Sequence, residues 1–180
     1  MKTKVLRVCP YEIIVDMCLT AHIIKTDSRQ LCRLLTGNTM PRFIPSTMTG
    51  ASRADEAQDC TVRALANALD TDYDNAHAAL RKHGRKHGKP CGHKVWHRAY
   101  SEAGLSLMNI YGTTAAARHL SRSLQQKATK GTTLGTLLKG IGLGRFVVIV
   151  TGHAICVLDG QVIDKYSNLA NKSVVAVYAK

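Results

Sequence analysis

The sequence predicts an α+β domain, with helices first and an antiparallel sheet after them. Three observations predict it. Apolar residues recur at helical spacing from residue 59 onward, a continuous apolar run fills 146–150, and Asp159-Gly160 separates two alternating segments. The first pattern gives one buried helix face, and the second reads as a strand covered on both sides. The third is a hairpin signal, because a type I′ turn needs positive φ at both central residues.

Taken in order, residues 1–47 are set apart as a loosely attached N-terminal extension. Within it, 11–24 reads as an amphipathic helix and 28–35 as a second short one. Gly37-Asn38, Pro41 and Pro45 then break regularity. The coherent domain is 48–180. Its first helix spans 59–69, with Asp59 as N-cap and Val62, Leu65, Ala66 and Leu69 as the buried face. An acidic, turn-prone break at 70–74 leads to a second helix, 75–82, with Ala76, Ala79 and Leu80 inward. Residues 81–90 form a basic loop punctuated by Gly84, Gly88 and Pro90. The third helix, 94–103, carries Val95, Trp96 and Tyr100 into the core, and Gly104 ends it. A strand follows at 105–111, then 113–128 reads as an Ala-rich, basic helix or an excursion. Thr132 and Thr133 cap a short helix at 134–139. Gly140, Gly142 and Gly144 turn the chain into strands at 145–151, 153–158, 161–164 and 174–178.

A chain of 180 residues with a formal charge of +13 fits one domain plus an appendage. The charge favours nucleic acid, acidic protein or anionic surfaces as partners. The densest basic stretch is 81–98, where Arg81, Lys82, Arg85 and Lys86 are the candidate polyanion contacts. Arg118, Arg122, Lys127 and Lys130 add a second stripe. The six cysteines, Cys9, Cys18, Cys32, Cys60, Cys91 and Cys156, show no C-x-x-C spacing. With no secretory signal beside them, they read as reduced thiols of a cytoplasmic protein. Glu12 and Asp16 interrupt the apolar stretch a signal peptide would need, and Arg145 and His153 break the longest apolar run. No membrane-spanning segment is expected.

Cys60 opens a helix, where unpaired N–H groups and the macrodipole favour an anion. There a thiol becomes a thiolate nucleophile; the alternative is a cysteine that only packs. A nucleophile needs a base, and His153, at the start of a strand, is the leading one among eight histidines. Asp164 is the candidate to orient its ring. A two-residue turn at Asp159-Gly160 pairs Leu158 with Gln161, Val157 with Val162 and Cys156 with Ile163, which makes Asp164 a same-face diagonal neighbour of His153. Asp159 is then a hairpin-tip residue, and Cys156 an interior one. His83, His87, Cys91, His93 and His97 have the look of metal ligands. The glycines and lysines between them read as a solvated loop, and no standard finger spacing fits, so neither metal nor cofactor is expected.

Asp59-Cys60 opening a helix, followed far downstream by Gly152-His153-Ala154-Ile155-Cys156-Val157-Leu158-Asp159-Gly160 and then Asp164, resembles the papain-like cysteine peptidases. The nearest likeness is to domains that process bacteriocin leader peptides and to small phage-encoded relatives. The resemblance covers about residues 50–180. It implies a papain-like fold, helices packed on a C-terminal antiparallel sheet, with Cys60 as nucleophile, His153 as base and Asp164 as orienting residue. A peptide or protein substrate, no metal, and the cytoplasm of a host or a virion as location are implied with it. Two positions depart from the pattern. The residue six before the cysteine, usually an oxyanion-hole glutamine, is Ala54, and Thr61 stands where a glycine often follows. Gln58, two before the cysteine, is the candidate donor beside the Cys60 N–H. The expectation is a cysteine peptidase or amide hydrolase working through an acyl-enzyme. The alternative is a non-catalytic, basic nucleic-acid-binding or virion-associated protein on the same scaffold.

Overall fold

The computed structural model describes residues 43–44 and 56–180. Apart from the backbone of Phe43 and Ile44, the N-terminal extension lies outside the described residues. The elements in chain order are β1 (Phe43–Ile44), α1 (Cys60–Leu69), α2 (Tyr73–Lys82), α3 (His93–Glu102) and β2 (Ser106–Ile110). Then come α4 (Ala115–Leu124), α5 (Leu134–Leu138), β3 (Arg145–Val150), β4 (His153–Leu158), β5 (Gln161–Ile163) and β6 (Val174–Ala179). The fold is α+β, with a six-stranded sheet in the order β1-β5-β4-β3-β6-β2. Every neighbouring pair is antiparallel except the outermost, where β1 runs parallel to β5. The sheet is therefore not wholly antiparallel as the sequence predicts, because two residues assigned to the extension add an edge strand.

The apolar run at 146–150 explains the layering. Val147 and Ile149 face a core built with α1 to α4, whereas Phe146, Val148 and Val150 face a second core with Leu134 and Leu169. A central strand covered on both faces has no polar side, hence the unbroken run. In α1, Val62, Leu65, Ala66 and Ala68 are fully buried, and Leu69 packs at the rim. Trp96, Tyr100 and Tyr178 meet at ring separations of 5.4–6.1 Å, two of the three pairs edge-on. Trp96 is thus a core residue. The β4–β5 turn has Asp159 at φ 50 and Gly160 at φ 76, the type I′ geometry.

Local chemistry adjusts three boundaries. Asp72 accepts from the Asn75 N–H at 2.7 Å, so α2 starts two residues earlier than its apolar pattern indicates. Gln125 takes a left-handed conformation and closes α4 well before residue 128. Asp59 precedes α1, but its carboxylate does not cap the helix; it turns to Arg63 instead, and its carbonyl receives the Val62 and Arg63 N–H groups.

The pairing of β1 with β5 generates a prediction. A chain starting at Thr39 should melt several degrees above one starting at Met48, since the loss of one or two edge hydrogen bonds costs about 1 kcal/mol and that shifts the midpoint by roughly 2–8 °C. Equal melting temperatures by calorimetry would show that the edge strand contributes nothing.

Candidate active site

Cys60 reaches the site from the first turn of α1, and His153 from the first residue of β4, opposite Val150 across a tight turn. Gly152 takes φ 77 in that turn, which allows the chain to reverse within two residues. The β4–β5 register is the one the Asp159-Gly160 turn dictates: Leu158 opposite Gln161, Val157 opposite Val162, Cys156 opposite Ile163. The ladder stops at Ile163, and the next residue, Asp164, turns its buried carboxylate to the histidine. His153 Nε2 lies 2.8 Å from Asp164 Oδ2. The other carboxylate oxygen accepts from the Tyr166 N–H at 2.9 Å, which fixes the plane of the group. The Tyr166 ring stands edge-on to the imidazole at 5.4 Å, and the Lys165 ammonium lies 5.1 Å from the Tyr166 ring centre.

With Nε2 engaged by Asp164, the other ring nitrogen is left for Cys60, and thiol and imidazole are close enough to shift each other's titration. Burial by itself would raise the Cys60 thiol. The hydrogen bond and positive charge of His153, with the N–H groups of Ala154 and Thr61, outweigh burial and hold it below its ordinary value. Burial would likewise strip His153 of its proton, but the hydrogen bonds and charges of Asp164 and Cys60 raise it to about 9. Each partner thus favours the charged form of the other, a thiolate beside an imidazolium. The two lie on a cleft of about 830 Å³ that is also lined by Gln58, Cys91, His93 and Tyr166.

Of the other sequence-predicted residues, Gln58 is exposed at the cleft, two residues before Cys60. Asp159 sits at the hairpin tip and accepts from the Gly144 N–H at 2.8 Å. Cys156 is buried within β4, its thiol pushed up to about 12 by burial. Arg81, Lys82 and Lys86 are exposed, and Lys82 is paired with Glu102. Arg85 does not join them and is corrected here as a surface contact. It is buried and ion-paired with Glu56 at 2.5 Å, so its charge is already neutralised. The residues with a metal-ligand look do not converge. His83 pairs with Glu102 at 2.9 Å, His97 bonds the Tyr178 hydroxyl at 2.7 Å, and His93 packs on the His119 ring. Glu56, His77 and His87 do bring ligand atoms together, but the Arg85 guanidinium occupies that cluster, 2.9 Å from His77 Nε2.

Sequence reasoning missed Glu56 and its partners. Burial would raise its carboxyl, but hydrogen bonds from Arg85, the Gly88 N–H and the Tyr73 hydroxyl, with the Arg85 charge, bring it below the ordinary range. A signal was present. Acids are scarce in this chain, 12 against 25 Lys and Arg, yet three of them fall within the five residues before Cys60. Compared with known proteins, the chain matches no family model, no curated protein and no solved structure.

The ion pair predicts a pH profile. Alkylation at Cys60 should rise with pH through a midpoint below the ordinary thiol value of 9.0, because its pKa is lowered. Any step that needs the imidazolium as acid should fade as pH climbs through about 9. His153→Ala should move the alkylation midpoint upward. An unmoved midpoint would disconnect the ring from the thiol.

Proposed function

We propose that the chain is a cysteine peptidase or amide hydrolase of papain-like architecture, acting on a peptide or protein in the cytoplasm or a virion. The observation that carries this reading is the His153 ring bridging the Cys60 thiol and the Asp164 carboxylate beside an open cleft. The thiolate attacks a substrate carbonyl carbon, forming a C–S bond and a tetrahedral oxyanion. The Gln58 side chain and the Cys60 N–H are the candidate donors to receive that charge. Collapse breaks the C–N bond, and the His153 imidazolium gives its proton to the leaving amine. A water then enters, His153 takes its proton, the hydroxide adds to the thioester carbonyl, and cleavage of the C–S bond releases the acid and restores the thiolate beside the imidazolium. Asp164 holds the ring in the orientation both transfers need. The order of parts, a cysteine-bearing helix before a sheet that supplies histidine and aspartate from neighbouring strands, supports the papain-like assignment.

A second reading is favoured by the exposed basic residues Arg81, Lys82 and Lys86 at the end of α2: a binding protein for nucleic acid on the same scaffold, without turnover. The two readings separate by experiment. If the chain is a hydrolase, iodoacetamide should label Cys60 ahead of the other five cysteines, and mass spectrometry of substrate-treated protein should trap an acyl adduct there. His153→Ala should lower turnover by roughly 10²–10⁴-fold, the usual contribution of acid–base catalysis. Asp164→Ala should slow it as well, whereas Asp159→Asn should leave it unchanged. Uniform labelling of all six thiols, with salt-sensitive retention on a polyanion that neutralising Arg81, Lys82 and Lys86 abolishes, would favour the binding protein.

A further inference from the structure

Arg85 is the one buried Lys or Arg among the described residues, with no exposed side-chain surface. A guanidinium leaves water only where several acceptors receive it. Here Glu56 Oε1 lies 2.5 Å away, His77 Nε2 2.9 Å and the main-chain oxygen of Gln58 3.0 Å. Glu56 in turn accepts from the Gly88 N–H at 2.9 Å and the Tyr73 hydroxyl at 3.2 Å. The loop after α2 and the segment leading to Cys60 are thus tied into one buried polar cluster.

The contact with Gln58 is the one that reaches the cleft. A planar trans peptide holds its two flanking Cα atoms in one plane with its carbonyl, so anchoring the carbonyl restrains both. Drawing the Gln58 carbonyl inward to Arg85 ties down the Gln58–Asp59 peptide and so restrains the Gln58 Cα, from which the side chain departs at the cleft. Cys60 is anchored independently. Asp59 is bound by Arg63 at 2.6 Å, the Tyr100 hydroxyl donates to the Thr61 carbonyl at 3.1 Å, and the thiol is held by His153.

We infer that Arg85 is a positioning residue for acylation: with Glu56 it holds Gln58 where the oxyanion forms, and it leaves the nucleophile itself alone. This rests on the proposed hydrolase reading. Two reactions of the same thiol separate the roles. Displacement of iodide from iodoacetamide forms a C–S bond at a saturated carbon and develops no oxyanion. Acylation by p-nitrophenyl acetate passes through a tetrahedral oxyanion before p-nitrophenolate leaves and a thioester remains.

In the full chain carrying Glu56→Gln and Arg85→Met together, which removes both buried charges, alkylation at Cys60 should stay within about twofold of wild type. Acylation should fall on the order of 10²-fold, the scale of one lost oxyanion donor. Arg85→Lys, which keeps the charge but not the fork, should fall between. Gln58→Ala should slow acylation similarly and add nothing further in the double variant, since both changes remove one interaction. Multiplying effects, or alkylation and acylation lost together, would overturn the positioning role. A wild-type chain that alkylates at Cys60 but accepts no acyl group would overturn the hydrolase reading, and this inference with it.

Discussion

A carboxylate taken out of water must be met by a positive group or by several donors, and this constraint organises the structure. Among the described residues three carboxylates are buried, and each meets a different base: Glu56 with Arg85, Asp59 with Arg63, Asp164 with His153. All three pairs surround Cys60. One lies under the segment that leads into it, one joins the residue before it to the first turn of its helix, and one backs its histidine. The apolar cores hold helices and sheet together, but they leave rotation about side-chain bonds open. The ionic pairs fix orientation around Cys60.

The third pair differs from the others in what it does to its neighbours. Arg63 and Arg85 neutralise and position their carboxylates through the planar guanidinium fork. His153 titrates, and Asp164 changes where. The carboxylate stabilises a charged ring, the charged ring stabilises a thiolate, and the Cys60 thiol is held below its ordinary value despite burial. Cys156, in the same strand as His153 but without such a partner, shows what burial alone does to a thiol.

What was legible in the sequence follows from distance along the chain. The Asp159-Gly160 turn is local, and it sets a register from which Asp164 emerges beside His153; a hairpin carries that information within a dozen residues. The helix at Cys60 is legible from its apolar period for the same reason. The partner of Arg85 was not, because Glu56 lies on the far side of two helices and nothing in a basic run marks which member turns inward. The Asp59 side chain was misjudged as a cap, since its competitor, Arg63, is equally local and offers a charged hydrogen bond. The parallel strand β1 was invisible: two residues carry no periodicity, and their partner lies at the other end of the domain.

The placement of Cys60 and His153 at opposite ends of the domain has a consequence for biosynthesis. A chain made from its N-terminus exposes α1 while β4 is still unmade. Until β4 and the residue after β5 have left the ribosome and paired, the cysteine has neither imidazolium nor the Ala154 N–H beside it, and its thiol is an ordinary one. The grouping of thiol, imidazole and carboxylate is thus a late event in synthesis, since both partners of Cys60 are made after every helix of the domain.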